Sequence, residues 1–229
     1  AEYIAMRLAK LTGLNVASVS LERAAGKDVL LVERFDRTAT VNGWQRKSLV
    51  SALTMLTLDE MMARYASYET LAELVRSRFT SAPETLRQLF SRIVFNILVG
   101  NTDDHARNHA AFWDGHVLTL TPAYDICPQA RHGQIASQAM LIKDDDRSSK
   151  IATCLAAAPL FLLSEENAVD IISNQVEGIE QHWPTVCEEA SLNEIDRNLL
   201  WRNQIMNPYA FEGIETGPLS DLARRHRRG

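Results

Sequence analysis

Residues 100–108 read Gly-Asn-Thr-Asp-Asp-His-Ala-Arg-Asn, with Asp103 five positions before Asn108 and Asp125 seventeen positions after it. Moving a phosphoryl group onto a hydroxyl needs a carboxylate that takes or orients the proton. It also needs hard oxygen ligands for Mg2+, which neutralises charge on the phosphates. Asp103 suits the first role; Asn108 and Asp125 suit the second. Spacing alone equally fits a solvated loop of Asx turns and caps, and both readings stay open at this point. His105 and His109 are four apart, as zinc-binding pairs on a helix are. No HExxH motif accompanies them and the segment reads as loop then strand, so structural roles are expected for both.

The polar run has to be held by its neighbours. Before it, Ser81-Ala82-Pro83-Glu84 has the form of a capping box with Pro in the first turn. A helix follows, with Leu86, Leu89, Phe90, Ile93, Val94, Ile97 and Leu98 on one broad face and Gly100 at its end. After the run, Ala110–Trp113 and His116–Leu120 read as a hairpin closed by Asp114-Gly115. Upstream, residues 1–12 are helical. Val16–Leu21 and Val29–Phe35 are expected as strands joined around Ala25-Gly26-Lys27, and residues 36–47 as a polar connection. Residues 48–66 and 68–79 carry helical spacing, and Ser164 and Ser191 are expected to cap later helices. The expected fold class is α+β with a helix-dominated body.

Composition limits the field. Of 229 residues, 46% are hydrophobic and 23% charged, which excludes disordered, collagen-like and disulfide-scaffold classes. No apolar run reaches about 18 residues, so no membrane span is expected. Three scattered cysteines, Cys127, Cys154 and Cys187, form no CxxC and point to a reducing, cytoplasmic setting. A net charge of −5 argues against general binding to nucleic acid or anionic membranes. Asp144-Asp145-Asp146 reads as a solvated acidic turn, Trp183 and Trp201 as packing for the terminal helices, and Arg224–Arg228 as a disordered basic end.

Protein kinases supply an Asp and, five residues later, an Asn from the catalytic loop, then a second metal-binding Asp after a hairpin. Asp103, Asn108 and Asp125 follow that order. Asn101–Asn108 resembles the catalytic loop of the HipA family of bacterial serine/threonine kinase toxins, and Leu120–Ile126 resembles its metal-binding Asp segment. Val32-Glu33-Arg34-Phe35-Asp36-Arg37 is similar to the family's hinge, and Glu2–Val16 to the helix and turn before it. The resemblance runs from residue 1 to about 145, and more loosely beyond.

It implies a protein-kinase-like fold, with residues 1–40 as a remnant of the small lobe and hinge and residues 41–229 as a helical large lobe. It implies ATP and Mg2+ as cofactors and phosphorylation of a protein Ser or Thr, with an aminoacyl-tRNA synthetase as the candidate substrate. It also implies neutralisation by a DNA-binding antitoxin protein. By the same resemblance Asp103 is the catalytic base, His105 braces the loop, and Arg107 meets the γ-phosphate where relatives carry Lys. Asn108 and Asp125 hold the metal, and the backbone of Glu33, Arg34 and Phe35 binds adenine. Asp104 stands where the family commonly has a small residue, and is expected to set an extra carboxylate beside the phosphates and weaken nucleotide binding.

No glycine-rich phosphate loop and no strand lysine occur in the chain, and Glu2 resembles the helix Glu that such a lysine would pair with. The chain therefore reads as a kinase of this type with its front cut away, folded but binding Mg·ATP weakly and without activity. Two alternatives are a phosphatidylinositol-kinase-like lipid kinase and a non-catalytic kinase-like binding module.

Overall fold

The computed structural model describes residues 1–131, 133 and 135–227. The chain opens with helix α1 (Glu2–Leu11), whose Ile4, Ala5, Met6, Leu8 and Ala9 are buried. Strands β1 (Val19–Ala24) and β2 (Lys27–Val32) pair antiparallel. Their turn, Ala25-Gly26, has φ of 51° and 75°, as the tight turns that match strand twist require. Strand β1 starts three residues later than its apolar run because Val16 bridges Ala123 instead, whereas β2 starts two residues earlier than expected and ends at Val32.

Residues 36–47, expected as a connection, hold a second hairpin, β3 (Arg37–Thr40) and β4 (Gly43–Arg46). It buries almost nothing, so it left no apolar alternation to read. The window 48–66, expected as one helix, splits into strand β5 (Ser48–Ser51), short helix α2 (Ala52–Met55) and the 3-10 turn Glu60–Tyr65. Helix α3 (Tyr68–Arg78) then packs on α4 (Ala82–Val99).

All seven apolar residues expected on the inner face of α4 are buried. The helix ends at Gly100 in a left-handed conformation, φ 71°. Ser81 precedes it but makes no side-chain cap. Strands β6 (Ala110–Trp113) and β7 (Leu118–Leu120) extend β5 into a three-stranded antiparallel sheet in the order β5-β6-β7. Asp114 Oδ1 accepts from the backbone N–H of His116 and Val117 at 2.8 and 2.9 Å, closing their loop.

The remaining helices are α5 (Ile151–Ala157), α6 (Glu165–Glu189), α7 (Glu194–Leu200) and α8 (Ser220–Arg227). Ser164 caps α6 through the N–H of Asn167. Asn193, not Ser191, caps α7, because Ser191 is left-handed with φ 52°. The basic end is helical through Arg227, and His226 stacks on Phe211 at 4.3 Å; Arg228 lies outside the described residues. Trp183 and Trp201 pack at 5.0 Å. One core joins α1 to α3–α6. Among the described residues no helix is long and apolar enough to cross a membrane.

Gly100 is the joint between the central helix and the polar loop. A Cβ there would lie 2.5 Å from the backbone oxygen of Gln204, on a φ that L-residues avoid. Gly26 also has positive φ, but a Cβ there meets nothing within 4 Å. Urea denaturation should therefore show Gly26→Ala losing about 1 kcal/mol and Gly100→Ala at least about 2 kcal/mol. Equal losses would remove the steric role given to Gly100.

Candidate active site

Helix α4 delivers Gly100 to the loop 101–109, and β6 carries the chain away from it. Within the loop, Asn108 N–H donates to His105 O at 2.9 Å and His105 N–H donates to Asn108 Oδ1 at 3.3 Å. The chain returns through β7 to Ala123, which is clamped between Asn15 and Ala17 by two backbone hydrogen bonds of 2.8 Å. Two residues on, Asp125 takes the left-handed conformation, φ 59°. These constraints bring Asn108 Nδ2 to 2.6 Å from Asp125 Oδ2. Asp103 is exposed and accepts no hydrogen bond from the described residues.

The donor set suits Mg2+. One carboxylate and one amide, completed by phosphate and water, is a usual arrangement for that ion. Among the described residues no three His, Cys, Asp or Glu side chains gather as a closed metal cluster. Burial raises the Glu2 carboxyl above its ordinary value, and the nearby charge of Asp125 raises it further. A cation at Asp125 would relieve that surplus of negative charge. Among the described residues no Lys or Arg makes an ion pair with Glu2, the helix residue expected to meet a lysine. For Asn108 to ligate through oxygen its amide must turn over and give up the bond from His105.

Asp104 departs from its expected place. Its side chain does not face the phosphates; it is 3% exposed and turned into the core. There Oδ2 accepts from Tyr68 OH, from Asn96 Nδ2 at 2.6 Å, and contacts His109 Nε2 at 3.1 Å. Burial would push its carboxyl up, but the His109 imidazole and the hydrogen bonds from His109, Tyr68 and Asn96 outweigh it and hold it below its ordinary value. Arg92, also buried, donates to Thr121 O, and burial takes its guanidinium down to about 10.

On the other side of the loop, Arg107 forms an ion pair with Glu60 and lies 3.3 Å from His105 Nε2. Its carbonyl accepts from Tyr124 OH at 2.6 Å. Burial raises the Tyr124 hydroxyl to about 12, so it stays protonated and keeps donating at neutral pH.

The Glu33–Phe35 segment lies against the same residues. Phe35 packs on Tyr124 at 5.6 Å and on Phe112 at 6.0 Å. An open pocket of about 320 Å3 is lined by Val32, Glu33, Arg34, Phe35, Leu49 and Tyr124. Glu33 N–H is taken by Ser18 O and Arg34 O by Arg37 N–H. Among the described residues Glu33 O and Phe35 N have no hydrogen-bond partner. The Arg34 side chain is turned to Asp36 in a two-pronged pair of 2.7 and 2.6 Å.

Sequence reasoning missed Tyr68, Arg92, Asn96, Glu60 and the inward turn of Asp104. Asn96 could have been suspected as an amide within the apolar stretch of α4; Tyr68 and Glu60 carried no local signal.

The Asp104 cluster makes acid stability testable. A carboxyl whose folded value is depressed contributes stability that is present above its unfolded value of about 3.9, and that is lost as pH falls through the folded value. Unfolding free energy should drop between about pH 5 and pH 2, and the drop should be shallower in Asp104→Asn. At pH 7 that variant should be about 3 kcal/mol or more less stable. Parallel pH profiles for the two proteins would contradict this.

A sequence profile of the HipA-like C-terminal domain matches residues 1–183. The serine/threonine-protein kinase toxin HipA of Shewanella oneidensis is 31% identical over 175 residues, covering 68% of this chain and 40% of that protein. The chain spans less than half the length of the curated relatives it matches. In fold it is similar to Shewanella oneidensis HipA, solved with HipB and operator DNA, with a TM-score of 0.75 at 21% identity, over 99% of this chain and 55% of that one. It is also similar to the Helicobacter pylori proinflammatory kinase CtkA, with a TM-score of 0.64 at 16% identity, over 93% of this chain and 86% of that one. With the profile matching well over half its length, and with the loop, hairpin and Asp segment in order, the chain belongs to the HipA-like C-terminal domain family.

Proposed function

We propose that this chain carries the phosphoryl-transfer site of an ATP-dependent serine/threonine protein kinase of the HipA toxin type. The observation that supports it most is the 2.6 Å approach of Asn108 to Asp125, with the unpartnered carboxylate of Asp103 on the same loop. In this reading Asn108 and Asp125 hold Mg2+, which supplies charge neutralisation for the ATP phosphates. Asp103 accepts a hydrogen bond from the substrate Ser or Thr hydroxyl, orients it, and takes its proton. Glu33 O and Phe35 N offer an acceptor and a donor to the adenine edge, while Phe35, Leu49 and Tyr124 cover its face. Residues 1–40 then form the nucleotide-facing small-lobe portion and residues 41–229 the large lobe.

Arg107 reaches a γ-phosphate only by leaving Glu60. Both side chains are at least half exposed, and such pairs are worth about 1 kcal/mol or less, so the exchange costs little. The partners we assign are a protein substrate, an aminoacyl-tRNA synthetase being the candidate, and a DNA-binding antitoxin. The antitoxin rests on the likeness to a HipA solved with HipB and operator DNA.

The test uses purified protein that carries this chain in a labelled-phosphate transfer assay. Asp103→Asn should lower transfer by about 10²–10⁴-fold with ATP affinity retained, since its carboxylate serves the hydroxyl and not the nucleotide. Asp125→Ala should abolish Mg2+-dependent transfer. Near-normal turnover in Asp125→Ala would overturn the metal assignment, and a loss below about tenfold in Asp103→Asn would overturn the base.

A further inference from the structure

Two of the three proposed reacting groups adjoin a residue bound into one buried polar cluster. Asp103 is followed by Asp104, whose carboxylate is held by Tyr68 of α3, Asn96 of α4 and His109 at the start of β6. Asn108 is followed by that same His109, which is 2% exposed and set edge-on to the Tyr68 ring at 5.4 Å. Asn101, at the start of the loop, donates to Asn96 at 3.1 Å and so closes the cluster on the helix. Asp103 and Asn108 thus stand beside two inward-turned residues, Asp104 and His109, that meet at one carboxylate.

We infer that Asp104 is a positioning residue for phosphoryl transfer, acting through the backbone of Asp103 and, by way of His109, through Asn108. The inference rests on the kinase reading above. Phosphoryl transfer depends on placement more than on covalent chemistry, and a displacement of about 1 Å can cost about 10²-fold in rate. Beyond the two hydrogen bonds between His105 and Asn108, the loop is held from outside at Ala106 by the N–H of Leu53, at Arg107 by Tyr124 OH and at His109 by the N–H of Ala52, and none of these touches Asp103. A buried carboxylate must keep its donors or bear a large desolvation cost, so it admits one placement of Asp103. Tyr68 extends the control to α3.

Because Asp104→Asn is expected to lose much of the protein's stability, Tyr68→Phe, which removes one donor and keeps the ring, is the decisive variant. Gly217→Ala serves as a control for lost stability alone, since Gly217 has φ of 86° with nothing within 4 Å of an added Cβ and lies just before α8. Steady-state kinetics on the protein carrying this chain should show Tyr68→Phe losing about tenfold or more in kcat, with KM for ATP within about twofold. Gly217→Ala should change neither. Amide hydrogen exchange at residues 101–109 should quicken in Tyr68→Phe and not in Gly217→Ala. An unchanged kcat in folded Tyr68→Phe overturns the positioning role, as does an equal loss in Gly217→Ala. If the wild-type protein transfers no phosphate, the kinase reading fails by itself. Loop exchange then still decides the anchoring: faster exchange in Tyr68→Phe supports it and unchanged exchange overturns it.

Discussion

A carboxylate with 3% exposure cannot stand alone in a protein core, and at Asp104 that requirement organises everything around it. Three side chains from three elements converge on one oxygen: Tyr68 of α3, Asn96 of α4 and His109 at the start of β6. Because Asp104 points inward, its neighbour Asp103 is turned outward. The family position commonly filled by a small residue here holds an internal tether. It draws its donors from the core and leaves the outer face of the loop to Asp103, Asn108 and Asp125. The charge expected to repel phosphate is spent on His109 and the buried donors.

The second organising element is the sheet β5-β6-β7. Residues directly opposite one another in an antiparallel pair share a face. Leu49 pairs with Phe112, and Phe112 carries Phe35 and, through it, Tyr124, so this face backs the Glu33–Phe35 pocket. Val50 and Trp113 lie on the other face, above an open groove of about 670 Å3 that also includes Phe79 and Leu118. The sheet therefore separates the proposed nucleotide side from the α3 side. The hairpins β1–β2 and β3–β4 are different in kind. They are two-stranded and largely exposed; β1 rests on α1 through Val19, and the flanking residues Val16, Ala17 and Phe35 join the body.

What could be read in the sequence was what is local. Helix α4 has its apolar face, its Pro in the first turn and its Gly100 terminator within one continuous stretch, and all of these were legible. So were the β6–β7 hairpin and the order of Asp103, Asn108 and Asp125. Strand β5 was not, because Ser48-Leu49-Val50-Ser51 runs straight into the apolar residues of α2 and its partner β6 lies far along the chain. Ser191 looked like a cap, but the backbone is left-handed there and the cap falls to Asn193. The roles within the loop were the least legible. Whether Asp103 or Asp104 faces solvent depends on Tyr68 and Asn96, and no spacing rule links those residues to the loop. His105 meets Asn108 through two hydrogen bonds of its backbone, and its ring lies against Arg107.

The most direct test of the site is a crystal structure of the protein carrying this chain, bound to Mg2+ and a non-hydrolysable ATP analogue. The account predicts a metal ligated by Asp125 and by Asn108 with its amide turned over, adenine against Glu33 and Phe35, and Asp104 unmoved on Tyr68, Asn96 and His109. A nucleotide bound away from Asp125, or Asp104 swung out to the metal or the phosphates, would contradict it.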